Sequence, residues 1–359
     1  MATLEELTAR LRSLDAYCHE HLWPEVESFE SQTRVNYEPF KRRLKSALPW
    51  LAGGWLWGVF LPNSIARSSS LPNIILQHLS LVAIGIGVVL LAPEFIKLSQ
   101  QLRDRFKARR ALQNKIKERA LAYFDPKLKF EPQVAFPQGL YTLCGLFPEK
   151  YDEASADERI SSVLGETKYE MTEIATYRRE TRTNGKGQVE VRMVPVFKGL
   201  LVRADFNKNF GSFTTVRTDQ LERRLGGIGR TLQNLLPTQG LGTGGRAPGM
   251  KLVELENAEF EERFKVASTD PIEARYILTP SFMESVLSVQ RKYPGIQLSF
   301  RAGDIVIAVP HPHDFMNNSL DLRNLTEAVR KMLEELHTAL SLLEDLKLND
   351  RIWNKRAGA

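Results

Sequence analysis

The sequence predicts an α+β protein: an N-terminal two-helix transmembrane hairpin, amphipathic helical connectors, and a cytoplasmic antiparallel-sheet-plus-helices domain. Three observations predict it. Two uncharged stretches, Ser46–Ala66 and Ser68–Pro93, lie back to back with Arg67 alone between them. Three other segments repeat apolar residues every three or four positions, the spacing of one helix face. Between about 139 and 315 the pattern shifts to β-branched and aromatic runs separated by turn residues. The expected parts are therefore 1–45, 46–93, 94–138, 139–315 and 316–359.

Each uncharged stretch is long enough to cross a hydrocarbon core roughly 30 Å thick, which takes about 20 helical residues. The spans are expected over about 46–66 and 71–93. Trp50, Trp55 and Trp57 suit an interfacial or lipid-facing place, and Gly53, Gly54, Gly58, Gly85 and Gly87 admit a close partner helix. Lys41, Arg42, Arg43 and Lys45 precede the pair, and Lys97, Arg103, Arg105, Lys107, Arg109 and Arg110 follow it. The short connection holds only Arg67, so the bias of basic residues puts both termini in the cytoplasm. Gln77 and His78 fall near the outer end of the second span, an interfacial position. Met1 opens onto Glu5, Glu6, Arg10 and Arg12 rather than an apolar core, so no cleavable leader is expected.

Residues 3–22 carry a stripe of Leu4, Leu7, Leu11, Leu14, Cys18 and Leu22. Residues 94–124 carry Leu98, Leu102, Phe106, Leu112, Ile116, Ala120 and Phe124, and 323–348 carry Leu325, Val329, Met332, Leu336, Leu340, Leu343 and Leu346. No stripe keeps a heptad over four repeats. The helices are expected to pack on one another or on the head as a stalk; the alternative is a self-association surface.

In the head, Tyr169–Glu180 and Gln188–Phe206 read as strands joined by Asn184-Gly185-Lys186-Gly187, a hairpin turn. Ser212–Arg217 and Lys251–Glu254 read as further strands, Thr218–Leu236 begins as helix, and Gln239–Gly249 reads as loop. Asp270-Pro271-Ile272-Glu273 has the form of a helix start, with a capping carboxylate and Pro in the first turn. Thr279-Pro280 repeats the device. Ile296, Leu298 and Phe300, then Ile305, Ile307 and Val309, alternate around a turn near Ala302-Gly303. Helices are expected on one face of an antiparallel sheet, not a doubly wound nucleotide fold.

The runs VFKGLLVRADFNKNFGS, ERRLGGIGR, LVELENAEFEERFKVASTDPIEARYILTPSFME and RAGDIVIAVP, over roughly 190–310, resemble the bacterial domain-of-unknown-function family numbered 3137. That resemblance implies two spans near the N-terminus, a cytoplasmic domain after them, and a place in the bacterial inner membrane. It implies no activity, cofactor or catalytic residue.

The formal charge is +6 and 43% of residues are hydrophobic, so the membrane signal is local. A mild basic excess fits a membrane surface, and no nucleic-acid partner is expected. The two cysteines, Cys18 and Cys144, have no metal or disulfide spacing and fit a reducing compartment. Gly240–Gly245 lacks the Lys-Ser/Thr that would reach a terminal phosphate, and the glycines of 225–230 suit a helix end better than an anion cradle. His311-Pro312-His313-Asp314 lacks third and fourth metal ligands nearby. No metal, cofactor or catalytic group is expected.

Three functions stay open. The first is a membrane-anchored scaffold or adaptor that meets lipid, a protein partner or its own copy through the amphipathic helices. The second is a sensor of anionic lipid or a phosphate ligand, with Lys198, Arg203, Lys208 and Arg230 as the binding residues. The third is an enzyme of unrecognised type, with Asp205, Asp270 and Arg275 as its polar residues.

Overall fold

The leucine stripe of residues 3–22 folds as a helix that changes pitch. The computed structural model describes residues 4–60, 71–147, 150–183, 189–206, 208–218, 249–311, 320–346 and 348. Helices α1 (Leu4–Arg12) and α2 (Leu14–Tyr17) lead into a π-helical turn, Cys18–Leu22, and then α3 (Trp23–Gln32). Leu7, Leu14, Cys18 and Leu22 are buried, as one face of the stripe requires. Next come α4 (Glu38–Phe60) and α5 (Leu71–Phe124). The Asn36 side chain accepts the Glu38 amide at 3.0 Å, which satisfies a donor at the start of α4.

The chain divides into two compact units: residues 20–115, and residues 1–19 with 116–359. In the first unit, Lys115 pairs with Glu25 at 3.2 Å. Helix α5 is one element of 54 residues, about 81 Å long at 1.5 Å per residue, so the expected second span and connector are continuous. Pro93 lies inside it, where it removes one backbone donor. From Leu81 onward α5 holds an 18-residue window of mean hydropathy 2.1, of which 6% is buried. Among the described residues this is the helix long and apolar enough to cross a membrane. Leu81, Val82, Val88, Val89, Phe95 and Ile96 are exposed on it, as are Leu48, Trp50, Trp55 and Leu56 on α4. Gly87 meets α4 closely: a Cβ there would lie 2.7 Å from the Leu51 side chain. The turn around Arg67 lies outside the described residues.

In the second unit the described strands form one antiparallel sheet. They are β1 (Lys129–Glu131), β2 (Glu153–Leu164), β3 (Thr167–Thr183), β4 (Val189–Asp205), β5 (Thr214–Thr218), β6 (Lys251–Leu252), β7 (Phe264–Ser268), β8 (Gln297–Arg301) and β9 (Asp304–Pro310). Their order is β1-β2-β3-β4-β9-β8-β5-β7-β6. The helices are α6 (Gln138–Leu143), α7 (Ala258–Arg263), α8 (Pro271–Ile277), α9 (Pro280–Lys292) and α10 (Leu325–Asp345). The long hairpin is β3–β4, and Asn184–Gly187 at its tip lies outside the described residues. Pro195 is tolerated in β4 because Val196 is an extra residue there, a bulge facing Thr176 and Tyr177. Opposite Gly199, β9 comes so near that a Cβ would sit 2.1 Å from the Val309 carbonyl oxygen.

Alternation along the strands sends successive side chains to opposite faces. On one face Phe206, Phe210 and Phe300 pack edge-on with Phe282 of α9. Helix α9 in turn meets α10 through Lys292–Asp345 at 2.7 Å. On the other face Ile174, Phe197, Leu201, Val306 and Ala308 form a core with Tyr141, Cys144, Leu146 and Phe147. Helices therefore cover more than the one face expected, because the α6 segment brings its own aromatic residues. Asp270 caps α8 as expected, accepting from Ile272 at 2.8 Å. At Thr279 the hydroxyl makes no cap, so the start of α9 relies on Pro280. The 8–9 hairpin turns at Ala302 (φ 51) and Gly303 (φ 82), both left-handed.

Helix α1 lies against α10, so the first and last helices pack on one another. Thr8 Oγ1 and His337 Nε2 are 3.0 Å apart, and Arg330 donates to Asp15 at 2.5 Å. The end of α5 joins them: Arg10 donates to the Tyr123 carbonyl at 2.9 Å, and Tyr17 stacks on Tyr123 with centroids 4.0 Å apart.

Candidate functional site

The α6 segment covers only part of its face of the sheet. Beyond Leu201 the outward positions turn from apolar to charged, and the surface opens into a groove of about 470 Å³. Ser161, Glu166, Lys168, Glu170, Arg203, Asp205 and Asp304 line it, among others. Strand pairing builds this set: Glu170 lies opposite Arg203, and Asp205 opposite Asp304. Arg203 donates to the Asp304 carboxylate at 2.8 and 2.6 Å and stands 3.8 Å from Glu170. The bonds to Asp304 push the Arg203 guanidinium further toward its charged form, more than burial opposes it.

Four carboxylates and two cations line the groove, so an anion entering it meets an acidic excess. The arrangement suits a cationic or mixed-charge surface better than a phosphate. The groove's carboxylates were not among the sequence candidates, apart from Asp205. Their signal was the alternation Lys168–Glu170 against Arg203–Asp205, which becomes readable only once the strands are paired in register.

The four predicted anion-binding residues are not brought together. Lys198 and Arg203 share β4 but, five positions apart, point to opposite faces. Lys208 is buried: its ammonium donates to the carbonyls of Tyr276 at 2.6 Å and Ile277 at 3.4 Å and lies 4.8 Å from the Tyr276 ring centroid. Burial pulls its pKa below the ordinary lysine value. It closes the carbonyl end of α8, where a cation is favoured. Arg230, the glycines of 225–230 and the Gly240–Gly245 loop lie outside the described residues.

The polar residues of the enzyme reading are spread likewise. Asp205 is in the groove, whereas Asp270 caps α8 and Arg275 donates to the Glu254 carbonyl at 3.1 Å. Glu273 accepts the amides of Gly211 at 3.1 Å and Ser212 at 2.5 Å, fastening the 206–213 loop to α8. Burial works to raise the Glu273 carboxyl, but these hydrogen bonds outweigh it and hold its pKa below the usual value. Both thiols are buried and pushed up to about 11, chiefly by desolvation, which leaves little thiolate. Among the described residues no group of three or more His, Cys, Asp or Glu is placed to hold a metal ion. His313 and Asp314 lie outside them.

Residues 195–348 match the model of a family described as protein of unknown function (DUF3137). That part of the head is similar to the family. The DUF3137 segment runs from the bulge of β4 through α10, further toward the C-terminus than the resemblance over 190–310 implied. It contains Arg203, Asp205, Lys208, Asp270, Glu273 and Asp304, and omits the groove's β3 wall. No curated protein matches the chain. A solved structure, the mycobacterial trehalose monomycolate transport factor A (TtfA), is 9% identical, covering 48% of this chain and 74% of its own. Its TM-score of 0.21 is too low to speak for a shared fold.

Proposed function

We propose that the chain is a membrane-anchored scaffold or adaptor that holds its DUF3137 head at the cytoplasmic face of a bacterial inner membrane. In this reading α4 and the apolar half of α5 are a two-span hairpin, and both termini are cytoplasmic. The observation that carries it is the exposed apolar surface of α5 from Leu81 to Ile96, with exposed Trp50 and Trp55 on α4. Surface of that kind is unfavourable in water and favourable in hydrocarbon. The basic residues at both outer ends of the pair support the orientation. A non-enzymatic role is supported by how the distinctive residues are engaged: Lys208, Asp270, Glu273 and Arg275 fasten loops and helix ends.

The test is fractionation followed by topology mapping. The chain is expected to stay in the membrane pellet after alkaline carbonate and to be released by mild detergent. A reporter that works only in the cytoplasm is expected to be active when fused at Ala359 and inactive when inserted beside Arg67. Recovery in the carbonate supernatant would overturn the anchor, and the reverse reporter pattern would overturn the topology. Purification in mild detergent is expected to retain a stable protein companion; a chain that purifies alone and turns over a substrate would overturn the adaptor role.

A further inference from the structure

The β3–β4 hairpin outgrows its sheet. Among the described residues β2 reaches only to Tyr177 and β9 only to Gly199, so six residue pairs, Arg178↔Val194 to Thr183↔Val189, stand as a two-stranded arm. At about 3.4 Å per residue the arm is roughly 20 Å long. Its two faces differ. One carries Val189, Val191 and Met193 on β4 opposite Thr183, Thr181 and Arg179 on β3. The other places Glu180 opposite Arg192 and Arg182 opposite Glu190, with Arg178 and Glu180 paired at 3.0 Å. Val189 and Val191 are 66% and 56% exposed. A two-stranded ribbon is marginal in water by itself, and this one presents apolar side chains that no described strand covers.

We propose that this arm docks on an anionic bilayer surface, laying the Val189–Val191–Met193 face among the headgroups as a second membrane contact apart from the helical anchor. Three observations select a bilayer. Charge is complementary: on the valine face the charged residue is Arg179, opposite Met193, with no carboxylate among the six paired residues there, and the arm as a whole, 178–183 with 189–194, holds four arginines and two glutamates. Size disfavours a protein: six paired residues, with Val189 and Val191 as the exposed apolar ones, fall short of the about 20–30 residues a side of a stable interface. At its base both edges resist a third strand, since the Asp152 carboxylate accepts the Arg179 amide at 2.6 Å and Pro195, just below the arm, has no amide to offer. A lipid surface needs neither a large matched area nor an open edge.

The test places an environment-sensitive fluorophore on the full chain at Val191→Cys, with Glu190→Cys on the opposite face as control. Cys18 and Cys144 are buried, so labelling is directed to the new thiol. The chain is reconstituted in nanodiscs of phosphatidylcholine with or without phosphatidylglycerol. The dye at position 191 is expected to brighten several-fold with phosphatidylglycerol and to be quenched by an acyl-chain quencher, while the dye at 190 is not. The double variant Val189→Ser/Val191→Ser, at exposed positions, is expected to abolish protection of an adjacent label at Thr183→Cys. Equal signals at 190 and 191, or no response to phosphatidylglycerol, would overturn the proposal. A signal that follows the number of chains per disc rather than the lipid would also overturn it, in favour of a second copy. Incorporation into discs reports on the anchor separately. A chain that fails to enter them is mixed with vesicles of the same lipids, where the same two dyes decide.

Discussion

Glu158 reaches the Lys117 ammonium because β2 carries a bulge. Asp157 and Glu158 together face Glu173 of β3, and the extra residue turns the Glu158 side chain toward the end of α5, where Lys117 is wholly buried. A buried ion pair contributes little net stability when intact, yet removing one partner leaves a desolvated charge. Glu158→Gln is therefore expected to cost about 3–5 kcal/mol. Lys117→Met combined with Glu158→Gln is expected to recover most of that loss. Thermal melts of the detergent-solubilised chain would check it; equal loss in the single and double variants would contradict the pairing.

Gly199 has no room for a side chain. A Cβ there would lie 2.1 Å from the Val309 oxygen and 2.8 Å from the His311 nitrogen, both backbone atoms that cannot swing aside. Gly199→Ala is expected to destabilise by about 3 kcal/mol or more, as overpacking against backbone does. Protease-resistance midpoints would register it, and a neutral result would mean that β4 and β9 are spaced more widely.

The 8–9 turn holds the opposite kind of opportunity. Ala302 sits at φ 51, a conformation that costs an L-residue with a Cβ about 1–2 kcal/mol. Asn-Gly is the preferred pair for such a two-residue turn. Ala302→Asn is expected to raise stability by about 0.5–1 kcal/mol, seen as a higher melting midpoint.

Glu273 gives the head an acid limit. Its folded pKa is held below its unfolded value of 4.5, so its contribution to stability is present above that value and is lost as pH falls through the lower folded value. Glu273→Gln is expected to flatten the fall in melting temperature on acidification below pH 4.5 and to leave the alkaline side unchanged. Parallel pH titrations of melting in wild type and variant would show it. An unchanged acid limb would place the acid sensitivity elsewhere.

The contact between α4 and α5 can be tested inside its own unit. Gly87→Leu would drive a side chain into Leu51, which lies 2.7 Å from the Cβ position. The α4–α5 pairing is expected to loosen, read as faster cleavage by protease at a site engineered beside Arg67. Leu51→Ala in the same chain is expected to restore part of the resistance by making space.

What could be read in the sequence was whatever repeats locally. The stripe Leu325, Val329, Met332, Leu336, Leu340 and Leu343 is buried along α10, and the alternation of Leu298 and Phe300 against Ile305 and Ile307 gave β8 and β9 with their turn. Long-range pairing left no such trace. β4 meets β9 across about a hundred residues, and β5 lies between β8 and β7, so the neighbour of Arg203 is Asp304 rather than Lys208. β2 was not foreseen because Glu153–Leu164 is polar and exposed at one end, with neither alternation nor a turn pair ahead of it. β7 and α7 were hidden for another reason: Phe260 and Phe264 are spaced for a helix, but the chain changes from helix to strand between them. The groove inherits these gaps, being assembled from four strands, β2, β3, β4 and β9, whose register no local pattern encodes.

The clasp of α1 on α10 imposes an order on synthesis. A ribosome adding 5–20 residues per second makes the first helix wait on the order of tens of seconds for the last to emerge. Until then Leu7 and Leu14 have no α10 to lie against, while α4 and α5 have already left the exit tunnel. Helices α4 and α5 are therefore complete before the head can close, and a message truncated between Phe124 and Leu325 yields a chain that holds both but lacks the clasp.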